Sequence, residues 1–329
     1  MTIKVLVSAP YMQPIINTIR PIFQSKNIEL IVPTVNERLE EADLLQIIGD
    51  IDGVMCGDDR FTDRVLRAAA KLKVISKWGT GIDSIDRETC DKLGIVLCNT
   101  PNAFSEPVAD SVLAYMLCFA RQIPWMTEDM RNGIWKKIPG FTLREATLGV
   151  IGVGNVGKAV IQRALSFGMN VLGNDTAAIC PDYITLTGIS SVSLDKLLRE
   201  SDIISINCDL NPTSRYLLNK EKFKLVKNTA FLINTARGPI IHETSLIETL
   251  EEGRLAGAGL DVFEEEPLPA NSPLRTMSNV LLAPHNSNSS PAAWERVHIN
   301  TIQNLFSVLG ISNDVDLQTV LQERVCLGR

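Results

Sequence analysis

The sequence predicts two doubly wound parallel α/β sheets in one chain, and three observations carry that expectation. The first hundred residues alternate short apolar runs with amphipathic stretches at helical spacing. A second alternation of the same kind opens at Thr147 and runs to Pro284. A long apolar helix pattern, about Ser105 to Ala120, separates the two. Strands that alternate with helices have crossover connections. Such connections make a sheet parallel and cover both of its faces.

In chain order, IKVLVS, IELIVP, DGVMCG, KVISKW and IVLCN read as strands, being short β-branched runs bounded by turn residues. Between them, stretches such as TDRVLRAAAKL repeat apolar positions at the period of a helix. The turn signal NTPN precedes the long helix. Residues 122 to 146 are mixed in composition, with Trp125, Trp135, Pro124 and Pro139, and no element is assigned there. The second series then runs through VIGVG, MNVLGND, ISINCD, TAFLINTA, LAGAGLDV and NVLLAP. From Ser289 onward there is one strong helix pattern, WERVHINTIQNLFSVL, and no strand run. The simplest arrangement returns that helix to the first sheet.

Composition narrows the function classes. The chain has 329 residues, 45% hydrophobic and 21% charged, which suits two globular cores. A net charge of −6 gives no general attraction to nucleic acid or to an anionic membrane. The start, MTIKVLVSAP, is too weakly apolar for a signal peptide, and no stretch is long and apolar enough to span a bilayer. The 7 cysteines are scattered without a C-x-x-C pair, which reads as reduced thiols and a cytoplasmic location. No metal site is expected, because the 3 histidines stand apart from any cysteine cluster.

The stretch VIGVGNVGKAV holds Gly152, Gly154 and Gly157 in the spacing G-x-G-x-x-G, after a strand and at the start of a helix. Dinucleotide phosphates need close backbone N–H groups and the positive end of a helix dipole, and this arrangement supplies both. Asn155 and Val156 complete the turn. Asp175 ends the following apolar run, where an acid can accept hydrogen bonds from ribose hydroxyls. The same acid repels a 2′-phosphate, and GNDTAA offers no arginine to receive one. NAD is expected rather than NADP, bound to a Rossmann domain.

A dehydrogenase acting on an alcohol needs a proton acceptor beside the carbon that gives up hydride, and histidine suits that task near neutral pH. His298 lies inside the final helix pattern and reads as structural. His242 opens a helix and reads as a surface or capping residue. His285 follows the strand NVLLA, at the edge where α/β active sites form. Two further motifs, NTARGP and LDVFEEEP, also follow strands, so Arg237 and the acidic cluster project from the same kind of edge. An arginine fork can bind a carboxylate through two hydrogen bonds, and a carboxylate beside an imidazole raises its pKa.

Together SKWGTGIDSID, NTPNAFSEPVAD, ARQIP, VIGVGNVGK, INTARGP, GLDVFEEEP and LAPH give a chain that resembles the D-isomer-specific 2-hydroxyacid dehydrogenases, nearest to the phosphoglycerate dehydrogenase branch. The resemblance runs from about Asp52 to Phe306. It implies a Rossmann cofactor domain, residues 102–286, inserted into a flavodoxin-like substrate domain, residues 1–101 and 287–329. It implies that Arg237 binds substrate, Glu266 pairs with His285, and His285 is the acid/base. Around NAD it places Cys208, Thr235, Ala236 and Asp261, with Asp261 on the nicotinamide carboxamide. Around a 2-hydroxyacid or 2-oxoacid substrate it places Lys77, Trp78, Gly79 and Thr80. It also implies a homodimer formed through residues 105–146.

Three places depart from the family pattern. Asn207-Cys208-Asp209 stands where many relatives have His-x-Pro, and Asn286-Ser287-Asn288-Ser289 where Gly-Gly commonly follows the histidine. Cys56 occupies the place of an arginine that contacts substrate phosphate in phosphoglycerate dehydrogenases, leaving Lys77 or Arg60 as alternative cations. Three readings therefore stand open: a phosphoglycerate dehydrogenase-like enzyme, a glyoxylate or hydroxypyruvate reductase, and an NAD-sensing corepressor. Glu266 disfavours a formate dehydrogenase, which would carry glutamine there.

Overall fold

A computed structural model of the chain describes residues 2–313 and 315–322. Two compact units divide it, one running to Phe104 and resuming at Ser290, the other spanning Ser105–Ser289.

The first unit holds a five-stranded sheet of β1 (Ile3–Val7), β2 (Ile28–Ile31), β3 (Gly53–Cys56), β4 (Val74–Lys77) and β5 (Val96–Cys98). Every pairing is parallel, in the order β2-β1-β3-β4-β5. Both faces of β3 and β4 are buried; β3 is accordingly the apolar run GVMC, while β4, VISK, buries Ser76 and Lys77 beside Val74 and Ile75. The helix Pro291–Leu309 returns to this sheet, as its sequence pattern suggested. Ser290 caps it, Pro291 opens it and Gly310 closes it at φ 69°. Phe306 packs on Phe23 with ring centroids 5.0 Å apart. Ser76 Oγ donates to the Thr301 carbonyl at 2.8 Å, and Trp78 Nε1 donates to His298 Nδ1 at 3.0 Å.

The second unit holds seven parallel strands. These are β6 (Thr147–Ile151), β7 (Asn170–Asn174), β8 (Ser190–Ser191), β9 (Ile203–Ile206), β10 (Phe231–Asn234), β11 (Gly257–Leu260) and β12 (Val280–Leu282). Their order is β12-β11-β10-β9-β6-β7-β8, so the winding reverses between β9 and β6. The helix Ser105–Arg121 packs on the helix Asn155–Ser166, and Arg163 bridges Glu106 and Asp110 between them.

Three local features differ from the sequence expectation. The helix expected in TDRVLRAAAKL covers only Asp63–Ala68. After it the chain turns so that Leu72 enters the core and β4 can begin at Val74. Ile123–Arg131 forms a helix inside the stretch left unassigned, opened by Gln122 at φ 55°. Ser190–Ser191 adds a two-residue edge strand, too short and polar for periodicity to reveal.

His298 is the structural histidine of the return helix. Burial pushes its pKa from 6.5 down to about 4, so in the fold it accepts from Trp78 as neutral imidazole. The unfolded imidazole takes up a proton near pH 6.5, so this contribution is complete above that pH and fades as pH falls toward 4. In urea titrations at pH 7.5 and 4.5, the stability advantage of wild type over His298→Gln should shrink by about 2–3 kcal/mol. The same advantage at both pH values would show that His298 is not held neutral.

Candidate active site

β6 delivers the chain into the turn Gly152–Gly154, and the helix Asn155–Ser166 starts at once. Gly152 has φ 89°, and a Cβ there would lie 2.5 Å from the backbone nitrogen of Cys208, which leaves the end of β9. A Cβ on Gly154, the N-cap of that helix, would meet nothing within 4 Å. The helix N-terminus, with Asn155 and Val156 in its first turn, therefore opens onto free space, where its unpaired N–H groups can meet an anion. Gly157 lies so close to the Gly152 carbonyl that no side chain fits between helix and turn.

Asp175 follows β7. Its carboxylate accepts from the Val153 N–H at 2.7 Å and the Ala177 N–H at 3.0 Å, which holds it beside the glycine turn. Thr235 is 8% exposed at the end of β10, and its Oγ1 is buried without a hydrogen-bond partner among the described residues. Burial pushes the Cys208 thiol up to about 11, with Asp209 adding to the effect, so it stays neutral. An open cradle of N–H donors, a nearby carboxylate and an orphaned hydroxyl fit a dinucleotide.

The ends of β10, β11 and β12 carry the remaining chemistry. Asn234, fully buried, folds the turn after β10: its Oδ1 accepts from the Ala236 N–H at 3.0 Å, and its Nδ2 donates to the Arg237 carbonyl at 2.9 Å. Arg237 stands half-buried at the head of the short turn Gly238–Ile240, with Nη1 donating to the Ala236 carbonyl at 2.9 Å. After β11 comes Asp261, 1% exposed. Its carbonyl accepts from the His285 N–H at 2.7 Å, its Oδ1 from the Asn286 N–H at 2.7 Å and its Oδ2 from the Ser287 N–H at 2.9 Å.

Glu266 Oε1 accepts from the Phe263 N–H at 3.0 Å, and Oε2 lies 2.9 Å from His285 Nδ1. Burial pushes the Glu266 carboxyl up. The hydrogen bond and charge of His285, the Phe263 N–H and Arg237 outweigh it, and the net value lies below the ordinary range. Glu266 is thus an acceptor, which assigns the proton to His285 Nδ1 and leaves Nε2 for other partners.

His285, Glu266 and Arg237 are thereby brought to one sheet edge. His242 instead caps the helix Glu243–Glu251, accepting from the Ser245 N–H, and His298 sits in the other unit. Lys77 ends β4, and Trp78, Gly79 and Thr80 form the turn after it. It is tied down by the Trp78 N–H to the Cys56 carbonyl at 2.8 Å, the Gly79 N–H to Thr100 Oγ1 at 3.1 Å and Thr80 Oγ1 to the Thr100 carbonyl at 3.1 Å. Sequence reasoning missed Asn234 and the Phe263 N–H. Asparagine at a strand end, just before Thr-Ala-Arg-Gly, is the signal of a side-chain-folded turn. A backbone donor leaves no such trace. No group of three metal-ligating side chains occurs among the described residues.

Residues 113–287 match the model of the D-isomer specific 2-hydroxyacid dehydrogenase NAD binding domain. The chain is 34% identical over 330 residues to a D-3-phosphoglycerate dehydrogenase of Methanocaldococcus jannaschii, covering 98% of this chain and 61% of that protein. It is 37% identical over 274 residues to a glyoxylate reductase of Thermofilum pendens, covering 81% of each. The chain belongs to this family. Its seven-stranded unit is an NAD-binding domain, and the family's members are NAD-dependent oxidoreductases. The fold matches the crystal structure of a D-lactate dehydrogenase from Aquifex aeolicus complexed with NAD and lactic acid. That match has a TM-score of 0.85, 25% identity and coverage of 93% of this chain and 95% of that one.

Asp261→Asn leaves one carboxylate-like acceptor and turns an NH2 toward a backbone N–H. An unsatisfied buried donor costs about 1–3 kcal/mol, and the variant should lose that much stability in denaturant unfolding. A variant as stable as wild type would mean that the clamp on residues 285–287 carries no energy.

Proposed function

We propose that the chain interconverts a D-2-hydroxyacid and its 2-oxoacid. The His285–Glu266 contact at 2.9 Å, on the sheet edge that also carries Arg237, supports this reading most. NAD, when bound, supplies or accepts the hydride. Gly152, Gly154, Asn155, Val156 and Gly157 would hold its pyrophosphate, Asp175 the ribose hydroxyls, and Cys208, Thr235, Ala236 and Asp261 the nicotinamide end.

In reduction, the Arg237 fork holds the carboxylate and the carbonyl oxygen, which fixes one face of the substrate. Protonated His285 gives its Nε2 proton to that oxygen. Glu266, kept ionised, steadies the imidazolium through Nδ1. In oxidation the neutral ring takes the proton back. Within the family we place the enzyme with the phosphoglycerate dehydrogenase-like members. The glyoxylate or hydroxypyruvate reductase reading draws support from Cys56, which is fully buried in an apolar cluster and offers no cation to a phosphate.

The homodimer belongs to the same proposal. The helix Ser105–Arg121 runs into an arm whose Ile123, Met130, Ile134 and Trp135 are 52%, 53%, 47% and 86% exposed, an apolar set suited to a second copy. A cytoplasmic location fits the unpaired state of the six described cysteines; Cys326 lies outside the described residues.

The test is NADH oxidation with glyoxylate, hydroxypyruvate, 3-phosphohydroxypyruvate and bulkier 2-oxoacids. At least one should be reduced, and His285→Ala should lower its kcat by about 10²–10⁴-fold while NADH affinity survives. Tight NADH binding with no turnover of any oxoacid would favour the NAD-sensing corepressor instead.

A further inference from the structure

Within the seven-stranded unit, the helix Glu243–Glu251 and the loop after β11 hold each other through two reciprocal hydrogen bonds. The Glu243 N–H donates to Glu264 Oε1 at 2.9 Å, and the Glu264 N–H donates to Glu243 Oε2 at 3.0 Å. This is the exchange of a capping box, made between two separate segments instead of within one. It brings two acids together, which electrostatics alone disfavours. Burial pushes the Glu243 carboxyl up and the charges of Glu264 and Glu265 push it further, against the pull of the Glu264 N–H. The two amides offset that repulsion, so the contact is a specific joint.

What the joint holds is the peptide between Phe263 and Glu264. On one side, a Cβ on Gly238 would overlap the Phe263 carbonyl, so this peptide rests directly on the turn that Arg237 opens. On the other, the Phe263 N–H donates to Glu266 Oε1 at 3.0 Å, and Glu266 Oε2 reaches His285 Nδ1 at 2.9 Å. The Phe263 side chain is buried in one apolar cluster with Ile240 and Leu246. Glu264 is exposed and Glu243 half-buried. The charged groups that face Glu266 are His285 and Arg237.

Released from Glu243, the loop keeps its apolar anchor but loses the hold on the orientation of that peptide. Glu266 then meets His285 at a poorer distance or angle, and the imidazolium loses part of its counter-charge.

We propose that Glu243 and Glu264 are positioning residues for the acid/base pair: their reciprocal hydrogen bonds set the peptide from which Glu266 reaches His285. This rests on the reading of His285 as the proton donor in 2-oxoacid reduction. Neither residue transfers a proton. Each serves as an acceptor for the other's amide, and the charge of either is dispensable.

The experiment replaces each of the two in turn: Glu243→Gln, Glu243→Asp and Glu243→Ala, then Glu264→Gln, Glu264→Asp and Glu264→Ala. Glutamine keeps the reach and loses the charge, aspartate keeps the charge and loses the reach, and alanine loses both. Thermal melting establishes that each variant folds. The His285 titration is followed by NMR of isotope-labelled histidine, its signal assigned by its absence in His285→Asn. In parallel, kcat and KM are measured against pH for the best 2-oxoacid.

In the alanine and aspartate variants the His285 midpoint should fall by about one pH unit. Their kcat for reduction should fall about ten-fold at neutral pH, with its high-pH decline moving down in step. Both glutamine variants should stay close to wild type in every readout. Glutamine variants that shift as far as the alanine ones would show that charge alone acts, and would overturn the proposal. Alanine and aspartate variants that melt lower with an unmoved His285 midpoint would overturn it too, since that marks a merely structural contact. Should an alanine variant not fold, its aspartate counterpart decides. Should no oxoacid be turned over, the acid/base reading fails by itself, and the midpoint still decides the joint: a fall on losing reach supports it, and no fall refutes it.

Discussion

Asp261 makes the contact on which the arrangement of the site depends. One nearly inaccessible residue receives three consecutive backbone N–H groups, from His285 on its carbonyl and from Asn286 and Ser287 on its two carboxylate oxygens. A buried carboxylate without such donors would be costly, and three successive amides can converge only if the chain bends sharply. The bend falls on His285, whose φ of 49° is a left-handed conformation that a residue with a side chain seldom adopts. The three hydrogen bonds to Asp261 offset both the strain at His285 and the cost of burying the carboxylate. Their joint result is an imidazole turned to Glu266.

The sheet supplies the frame for that contact. Pairing of β10 with β11 aligns Asn234 with Leu260, and pairing of β11 with β12 aligns Leu260 with Leu282. All three strands therefore release the chain at the same level of one edge. Arg237 leaves from the first, Asp261 and Glu266 from the second, and His285 from the third. Asn234 turns the first loop through its own side chain, and the Phe263 N–H fixes the rotation of Glu266. Parallel β10 and β11, buried almost throughout, give this edge a rigid base, so side chains far apart in sequence keep a common geometry.

Much of this was legible in the sequence because it rests on strands. Apolar runs such as TLGVI and FLIN must be interior to a parallel sheet, and residues just after them must lie at its C-terminal edge. The glycine turn and the positions of His285, Arg237 and the acidic cluster followed from that logic, whereas the choice of Glu266 within the cluster came from the family resemblance. What periodicity could not show was set by single atoms or by short, polar segments. The helix Ile123–Arg131 buries no residue fully, so no apolar stripe announces it. The hold of Asp261 on residues 285–287 uses backbone donors, which every residue but proline carries. The pairing of Lys77 with Asp58 joins two adjacent strand ends, and only the register of β3 with β4 brings them together.

The most direct test of the account is the pH dependence of kcat/KM for 2-oxoacid reduction in wild type and Glu266→Gln. The ionised Glu266 favours the imidazolium of His285, and reduction needs that proton. The high-pH decline of reduction should therefore move to lower pH in the variant, while NADH affinity stays as in wild type. A decline at the same pH in both proteins would contradict the claim that Glu266 and His285 act as one unit.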